Sequence, residues 1–317
     1  MMNKTDMKTA FIFPGQGSQI PSMLNMLDTK DPIVDQVFQA CREVIKVEPM
    51  EIDSQLKLHS TVNVQLSLLI MEVISARKLL HYGIRPDFVA GHSVGAFSAA
   101  VIAGVITLPQ ALQLVLLRST LMEQAYPKDY GMLGVVGLSL NRTRSLLDIF
   151  NQSGEKLFLS NINSADQQVL AGKTIDLQNF SQTLQAAGAR KAQLLNVSVP
   201  SHCRLMDGVA AILKVKLGHF ELAEPQIPYV SNLSGRLFRS GQKIGEDLWK
   251  GVAETVQWYD GTRLLYELGA RTFIELEPSG VLSKLTHSTL DDVEVLAVSQ
   301  GNAKDISWLW KGNNKNK

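Results

Sequence analysis

Apolar positions in the first part of this chain form short runs that alternate with longer segments of helical period. Thr9–Phe13 is a short apolar, β-prone run that leads straight into a glycine-rich segment, Pro14–Gln19. Val62–Tyr82 is long and helical in period and ends at Gly83, and Phe88–Ala90 is a second short run before an alanine-rich segment. This succession predicts strand, helix, strand and helix, which is typical of a parallel sheet covered by helices.

The pattern changes near residue 130. From there to residue 198, β-prone runs and amphipathic segments follow one another in the order βαββαβ, the split unit of a ferredoxin-like domain. We therefore predict a small ferredoxin-like domain, residues 131–198, inserted into a large α/β domain, residues 1–130 and 199–317. The predicted strands of the insertion are Met132–Val136, Leu157–Ser160, Gln167–Ala171 and Ala192–Val197, and its helices are Arg142–Phe150 and Leu177–Ala187.

Further elements of the large domain are predicted on both sides of the insertion. Proline opens two helices before it, from Pro32 to about Lys46 and from Pro109 to about Ala125. After it, the same patterns predict the helices Met206–Leu217 and Tyr259–Leu268 and the strands Ile227–Val230, Thr272–Leu276 and Val293–Val298.

Charge and hydropathy exclude several classes of partner. The 317 residues carry 31 basic and 30 acidic side chains, a formal net charge of +1, so no overall field attracts nucleic acid or an anionic membrane surface. The longest apolar stretches, near Leu66–Ile74 and Val101–Leu117, contain polar residues and would not span a bilayer. No apolar run of signal-peptide length precedes Gly15. We expect a cytoplasmic protein that binds neither nucleic acid nor membrane.

Cysteine and histidine are too sparse to indicate a disulfide framework or a metal centre. The chain has only Cys41 and Cys203, and its six histidines show no i,i+3 or i,i+4 pairing of the kind that holds a metal ion. We therefore expect no metal ligands and no bound cofactor.

The segment Gly91–Gly95 fits the pattern G-x-S-x-G, directly between a predicted strand and a predicted helix. This setting indicates a nucleophile elbow, a strained turn that projects the oxygen of Ser93 above the sheet. Glycines are needed two positions to either side because larger side chains would collide there. The backbone N–H of the next residue, Val94, would point at an oxyanion formed at this site.

A serine nucleophile needs a base, and His202 is the best-placed candidate. It follows the last predicted strand of the insertion, in a loop, where working side chains are often displayed. The residues alone leave open the alternative that His202 is an ordinary surface histidine. His92 adjoins Ser93, but at so sharp a turn its side chain should point away from the serine.

Arg118 stands on the apolar face of the helix predicted from Pro109. Its neighbours one turn away include Leu114, Val115 and Met122. An uncompensated buried charge costs several kcal/mol, so the guanidinium needs a partner. That partner is either an internal carboxylate, which would make Arg118 structural, or an anionic ligand. The other structural alternative is a side chain that extends along the apolar surface and keeps its charged end in water.

The glycine-rich loop Pro14–Gln19 could serve the same site. If the first strand adjoins the strand that carries Ser93, the backbone N–H of Gln16 would be a second donor to the oxyanion. The alternative is a tight turn that uses only its glycines. The loop lacks the lysine of a P-loop and the third glycine of a dinucleotide-binding fingerprint, so we exclude nucleotide binding there.

Five segments, in this order and at these separations, together resemble the malonyl-coenzyme A:acyl-carrier-protein transacylases of fatty-acid and polyketide synthesis. The likeness runs from about residue 9 to about residue 298. The resemblance implies an α/β-hydrolase-like large domain with a ferredoxin-like insertion, in agreement with the pattern above. The segments are FPGQGSQ (13–19), GHSVG (91–95), LLRSTLMEQA (116–125), SVPSHC (198–203) and VQW (256–258).

The resemblance also implies roles for individual residues. Ser93 is the expected nucleophile and His202 its base, oriented by a main-chain carbonyl at the position of Gln257. Arg118 is expected to hold the free carboxylate of the malonyl group by two parallel hydrogen bonds. The substrates implied are malonyl-CoA and the phosphopantetheine-type arm of an acyl carrier protein. The remaining implied site residues are Gln16 and Val94, whose backbone N–H groups form the oxyanion hole, and Asn161 and Asn163, which line the thioester channel.

Departures from the family pattern refine the expected role. The chain has GHSVGAF at 91–97 where fatty-acid-synthesis members usually have GHSLGEY, and Glu277–Gly280 stands where a glycine-rich turn is commoner. These variants look more like the epsilon subunit of biotin-independent malonate decarboxylase, which recharges the carrier protein of that complex and would have its other subunits as partners. A housekeeping transferase of fatty-acid synthesis is the alternative.

Two other classes of function compete. A serine hydrolase or thioesterase also presents G-x-S-x-G, but the only late histidine is His287, and neither Asp207-Gly208-Val209 nor Asp260-Gly261-Thr262 fits a patatin-like aspartate motif. A non-catalytic scaffold subunit would have no need of its serine, histidine and arginine, and all three are present.

Overall fold

The computed structural model describes residues 7–126, 128–152, 154, 156–197, 199–278, 280–298 and 303–314. Within them the strands are, in chain order, β1 (Lys8–Phe13), β2 (Phe88–Gly91), β3 (Tyr130–Val136), β4 (Phe158–Ser164), β5 (Gln167–Lys173), β6 (Lys191–Leu194), β7 (Tyr229–Val230), β8 (Leu237–Phe238), β9 (Ala270–Glu275) and β10 (Glu294–Ala297). The helices are α1 (Pro32–Val44), α2 (Thr61–His81), α3 (Gly95–Ile102), α4 (Leu108–Ala125), α5 (Leu140–Asn151), α6 (Thr174–Ala186), α7 (Asp207–Leu217), α8 (Gly241–Lys250), α9 (Trp258–Glu267), α10 (Val281–Thr289) and α11 (Ala303–Asn314).

The larger sheet has the strand order β10-β9-β1-β2-β7-β8. All its pairings are parallel except that of β8, which forms an antiparallel edge. Alternate residues of β1 face opposite sides: Phe11 and Phe13 enter the core under α1–α4, whereas Ala10 and Ile12 enter the core under α9 and α10. Both faces are therefore covered, as the continuous apolar run of β1 predicts.

The smaller sheet has the order β4-β5-β3-β6 and is antiparallel throughout. α5 and α6 pack on it around Phe180 and Leu170, which are fully buried. The order β3-α5-β4-β5-α6-β6 is the βαββαβ unit, so the predicted fold class, an α/β-hydrolase-like domain with a ferredoxin-like insertion, is confirmed. The domain limits at 130/131 and 198/199 stay a prediction, and residue 198 lies outside the described residues.

Two backbone hydrogen bonds connect β4 of the smaller sheet to the large domain. The N–H of Ile162 donates to the carbonyl of Val256 (2.9 Å), and the N–H of Val256 donates to the carbonyl of Ser160 (2.9 Å). β4 is thereby fixed to the segment that precedes α9. No helix in the described part of the chain is long and apolar enough to cross a membrane.

Several elements were absent from the sequence prediction: β8, α8, α10 and α11. α8 has the sequence GQKIGEDLWK, in which Ile244 and Leu248 are its buried large apolar residues. Two apolar residues at i,i+4 spacing are too few to distinguish a short helix from a polar loop. β4 is longer than predicted, because the polar residues Asn161–Ser164 continue the strand in buried positions.

Candidate active site

The turn at Ser93 has the backbone of a nucleophile elbow. Ser93 has φ 56°, in the left-handed region that residues with side chains rarely occupy. A Cβ on Gly91 would lie 2.1 Å from the carbonyl oxygen of Gly95, and a Cβ on Gly95 would lie 2.4 Å from the carbonyl oxygen of Phe13. Both glycines of the motif are thus required by close backbone approach, which supports the elbow and excludes a chance match of the pattern.

His202 is hydrogen-bonded to the serine. Its Nε2 lies 2.7 Å from Ser93 Oγ, and its Nδ1 lies 2.5 Å from the carbonyl oxygen of Gly251. A carbonyl can only accept, so Nδ1 carries the proton and Nε2 is left as the acceptor for the serine hydroxyl. The imidazole is therefore the tautomer that a general base for Ser93 must be.

The carbonyl that orients His202 belongs to Gly251 and not to Gln257, the position expected from the family resemblance. Gln257 instead donates its own N–H to the carbonyl of Asn232 (2.7 Å). The Gly251 carbonyl is one of the last at the C-terminal end of α8, where a helix presents carbonyls without intrahelical partners. The negative end of the helix dipole there favours a positively charged imidazole.

The surroundings of His202 keep it neutral. Its side chain is 3% exposed, and burial, followed by the positive charge of Arg118, lowers its pKa to about 3 against the opposing effect of the Gly251 carbonyl. Burial disfavours the charged imidazolium, and a neighbouring cation does so further. His202 is thus unprotonated throughout the neutral range.

We expect Ser93 to keep its reactivity as the pH falls through the ordinary histidine range. Because the pKa of His202 is depressed, the imidazole stays neutral at pH 5, and the rate of Ser93 labelling by a fluorophosphonate should be flat between pH 8 and pH 5. Labelling rates across that range, with circular dichroism as the control for folding, test this. A loss of rate with an apparent pKa near 6.5 would contradict it.

Arg118 lies against the same serine oxygen. It is 2% exposed; Nη2 donates to Ser93 Oγ at 3.3 Å, and Nη1 donates to Oε1 of Gln65. Among the described residues no carboxylate lies within the 4.0 Å of an ion pair. Burial lowers the pKa of Arg118 to about 10, so the side chain still carries its charge at neutral pH. Within the described residues this buried cation has no carboxylate partner, so its charge is suited to pairing with an anion beside Ser93.

The two expected oxyanion donors come from adjoining loops. β1 and β2 pair with Phe13 opposite Gly91, so the loop after β1 meets the elbow, and a Cβ on Gly15 would lie 3.4 Å from Cβ of Ser93. Within the described residues, neither the N–H of Gln16 nor that of Val94 has an acceptor. These unused donors beside Ser93 are suited to an oxyanion.

A cavity of about 460 Å³ opens above the dyad. Its walls come from both predicted domains and include Ser93, His202, Gln16, Gln65, Asn161 and Asn163. Asn163 Oδ1 and Asn161 Nδ2 lie 3.2 Å and 3.4 Å from Nε2 of His92, whose ring packs edge-on against Trp258. Within the described residues the His92 ring makes no hydrogen bond to Ser93, and the two asparagines both line the cavity and contact His92.

Gly251 and Gln65 are among the groups in contact with the site that sequence reasoning missed. Gly251 acts through a backbone carbonyl, which no side-chain pattern reveals. Gln65 is 1% exposed within the apolar helix α2, and a polar residue on such a helix was the signal available for it. It satisfies part of the guanidinium of Arg118 without neutralising its charge.

Comparison with known proteins relates the chain to a known family. The acyl transferase domain family matches residues 10–312. The malonyl CoA-acyl carrier protein transacylase of Haemophilus influenzae is 32% identical over 300 residues, covering 92% of this chain and 95% of that protein.

Two solved structures extend the likeness to the fold. An acyl carrier protein S-malonyltransferase from Vibrio cholerae is 34% identical with a TM-score of 0.88, covering 94% of this chain and 99% of that one. A malonyl-transacylase in complex with its type II polyketide-synthase acyl-carrier protein is 33% identical with a TM-score of 0.88, over the same shares of the two chains. The chain belongs to the acyl transferase family, among the malonyl-CoA:acyl-carrier-protein transacylases.

Proposed function

We propose that this enzyme transfers a malonyl group from malonyl-CoA to the prosthetic-group thiol of an acyl carrier protein, through a malonyl ester on Ser93. The observation that carries the proposal is the convergence of two groups on one oxygen. His202, a neutral base, and Arg118, a buried cation, both form hydrogen bonds with Ser93 Oγ. No carboxylate of the described residues lies within ion-pair distance of Arg118. A dyad alone would suit many acyl donors, whereas the added cation suits a donor that carries its own carboxylate.

In the first half-reaction Ser93 Oγ attacks the thioester carbonyl while Nε2 of His202 accepts its proton. The N–H groups of Gln16 and Val94 stabilise the oxyanion, and Arg118 holds the free carboxylate of the malonyl group. As the tetrahedral intermediate collapses, the C–S bond breaks and the imidazolium returns the proton to the coenzyme A thiolate. The product is the malonyl ester of Ser93.

In the second half-reaction the carrier-protein thiol occupies the place of coenzyme A. His202 takes the proton from the thiol, the sulfur attacks the ester, and Ser93 leaves with that proton. Asn161 and Asn163, which line the cavity, are proposed to contact the pantetheine-type arm of the donor, malonyl-CoA, and of the acceptor, the carrier protein. The competing hydrolase function would need water in place of this thiol, and product analysis with carrier present separates transfer from release of free malonate.

Incubation with malonyl-CoA alone is expected to leave one malonyl group on the protein, because the first half-reaction does not require the carrier. Mass spectrometry of the intact chain and of its peptides should place the added mass on Ser93. Ser93→Ala should acquire none, and Ser98→Ala, which changes a buried serine one turn into α3, serves as the matched control. A Ser93→Ala protein that still gains the mass would refute Ser93 as the nucleophile. A wild-type protein that gains none would refute the covalent route, and the scaffold alternative would then stand.

We propose that the physiological role is that of the epsilon subunit of a biotin-independent malonate decarboxylase. The basis is the departures from the usual family sequence at 91–97 and 277–280. Residue 279 of the second segment lies outside the described residues. The alternative is a housekeeping transferase of fatty-acid synthesis, which the relatives described above fit well. The chemistry at Ser93 is the same in both roles. The cytoplasmic location expected from the sequence stays a prediction.

The two roles differ in the carrier that accepts the malonyl group. We expect faster transfer to a malonate-decarboxylase carrier, with its phosphoribosyl-dephospho-coenzyme A arm, than to a fatty-acid carrier from the same cell. The measurement is the initial rate with each carrier well below saturation, so that kcat/KM is compared. Equal rates, or a preference for the fatty-acid carrier, would remove the decarboxylase role and leave the housekeeping one.

A further inference from the structure

Asn232 bridges the nucleophile elbow from the neighbouring strand. β7 pairs in parallel with β2, so the residues that follow the two strands meet at the same edge of the sheet. The Nδ2 of Asn232 donates to the carbonyl of Gly91 at 2.7 Å, and its Oδ1 accepts the N–H of Ser93 at 3.1 Å. The side chain is 6% exposed. One amide thus fixes the backbone on both sides of His92, where the chain turns to present the serine.

The elbow needs such bonds because of its backbone conformation. Ser93 holds φ 56°, which is unfavourable for a residue with a side chain and persists only where the surroundings fix it. Released from Asn232, the Ser93 N–H would have no acceptor within the described residues, and the turn could relax. Relaxation would move Oγ away from Nε2 of His202, with which it now shares a 2.7 Å contact.

Asp247 on α8 accepts hydrogen bonds from the segment that carries Asn232. Asp247 is 1% exposed. Its carboxylate accepts from the hydroxyls of Tyr229 (2.7 Å) and Ser231 (2.5 Å) and from the N–H groups of Asn232 (3.1 Å) and Leu233 (3.0 Å). In the described part of the chain no cation lies within 4.0 Å of it. The carboxylate therefore orders the segment after β7 through four donors, and Asn232 is carried on that segment.

The same helix reaches the other member of the dyad. One turn beyond Asp247, the N–H of Gly251 donates to the Asp247 carbonyl at 2.9 Å, and the carbonyl of Gly251 accepts from Nδ1 of His202. α8 is therefore connected to Ser93 through Asp247 and Asn232, and to His202 through its own C-terminal end.

We propose that Asn232 is a positioning residue for Ser93, and that α8 aligns nucleophile and base by holding Asn232 through Asp247 and His202 through the carbonyl of Gly251. The inference rests on the proposed function in taking Ser93 as the nucleophile. It assigns the orientation of the dyad to a side chain and a helix that lie outside the lining of the 460 Å³ cavity.

The test compares Asn232→Ala with Asn151→Ala. Asn151 makes the same pair of bonds far from the site, donating to the carbonyl of Leu157 (2.9 Å) and accepting its N–H (3.0 Å), so it is a matched control for stability. We expect Asn232→Ala to lower kcat for malonyl transfer, and the rate of Ser93 labelling by a fluorophosphonate, by about 100-fold. KM for malonyl-CoA should change less than about threefold, because Asn232 does not line the 460 Å³ cavity in which the coenzyme A arm is proposed to lie. Asn151→Ala should keep both rates.

Asn232→Asp tests the same idea if the alanine variant does not fold. It keeps an acceptor for the Ser93 N–H and loses the donor to the Gly91 carbonyl, so we expect a loss of about 10-fold in both rates. A folded Asn232 variant with both rates within threefold of wild type would overturn the inference. If wild-type Ser93 is labelled but no malonyl group is transferred, the proposed function fails, and the labelling comparison still decides whether Asn232 positions the serine.

Discussion

His202→Ala is expected to lower the rate of malonyl transfer by about three to four powers of ten. In the proposed mechanism His202 accepts the proton of Ser93 in the first half-reaction and of the carrier thiol in the second, so both half-reactions should slow. The neighbouring groups cannot replace it. His92 is held by Asn161 and Asn163, and Arg118 is protonated at neutral pH and cannot accept a proton.

Single-turnover formation of the malonyl ester, and its discharge by carrier, measure the two half-reactions separately. Binding of coenzyme A esters should remain close to wild type, because the imidazole bonds to Ser93 and Gly251. His219→Ala changes an exposed histidine at the end of α7 and is the matched control. A His202→Ala enzyme within about tenfold of wild type in either half-reaction would show that another group is the base.

Much of the fold was predictable because many of its helices and strands show a regular pattern of apolar residues. The apolar run of β1 predicts a strand buried on both faces, and the long apolar pattern of α2 predicts a helix that is buried for most of its length. The insertion was predictable because its six elements follow a known order. α8 and α10 escaped prediction because their patterns carry few apolar positions, although α8 reaches the dyad and α10 lines the cavity.

The site was predictable where chemistry limits the residue type, and not where backbone groups act. Ser93, His202 and Arg118 converge within hydrogen-bonding distance of one oxygen, although they lie far apart in the chain. The carbonyl at Gly251 was placed at Gln257 by resemblance, because a main-chain group leaves no trace in residue identity. The prediction ended β4 at Ser160 because asparagines are typical of loops. Asn161 and Asn163 are instead buried in the strand and line the cavity.

Arg118→Ala is expected to lower malonyl transfer by about two to four powers of ten, because losing one partner of a buried charge pair costs about 2–5 kcal/mol. Acetyl transfer, which has no carboxylate to pair, should hold or increase. The preference for malonyl over acetyl donors should therefore invert. Rates with malonyl-CoA and acetyl-CoA, measured for wild type and variant under the same carrier, give the ratio directly.

Arg118→Lys separates charge from geometry. A lysine keeps the positive charge but cannot form two parallel hydrogen bonds with a carboxylate. We expect it to fall between wild type and Arg118→Ala in malonyl transfer while still rejecting acetyl groups more strongly than the alanine variant. Arg144→Ala, on the exposed face of α5, is the control for general effects of losing an arginine.

The melting temperature decides between the two functions that a buried arginine can have. A structural ion pair, once broken, leaves a buried carboxylate unpaired and costs about 3–5 kcal/mol of stability. Asp247 and Arg118 line the same small cavity next to Ser93 but form no ion pair. The carboxylate oxygens of Asp247 already accept from four donors. Removing Arg118 should therefore change the melting temperature of the ligand-free protein little. A variant that unfolds much more easily yet keeps its malonyl preference would make Arg118 structural, and the carboxylate of the substrate would then need another partner.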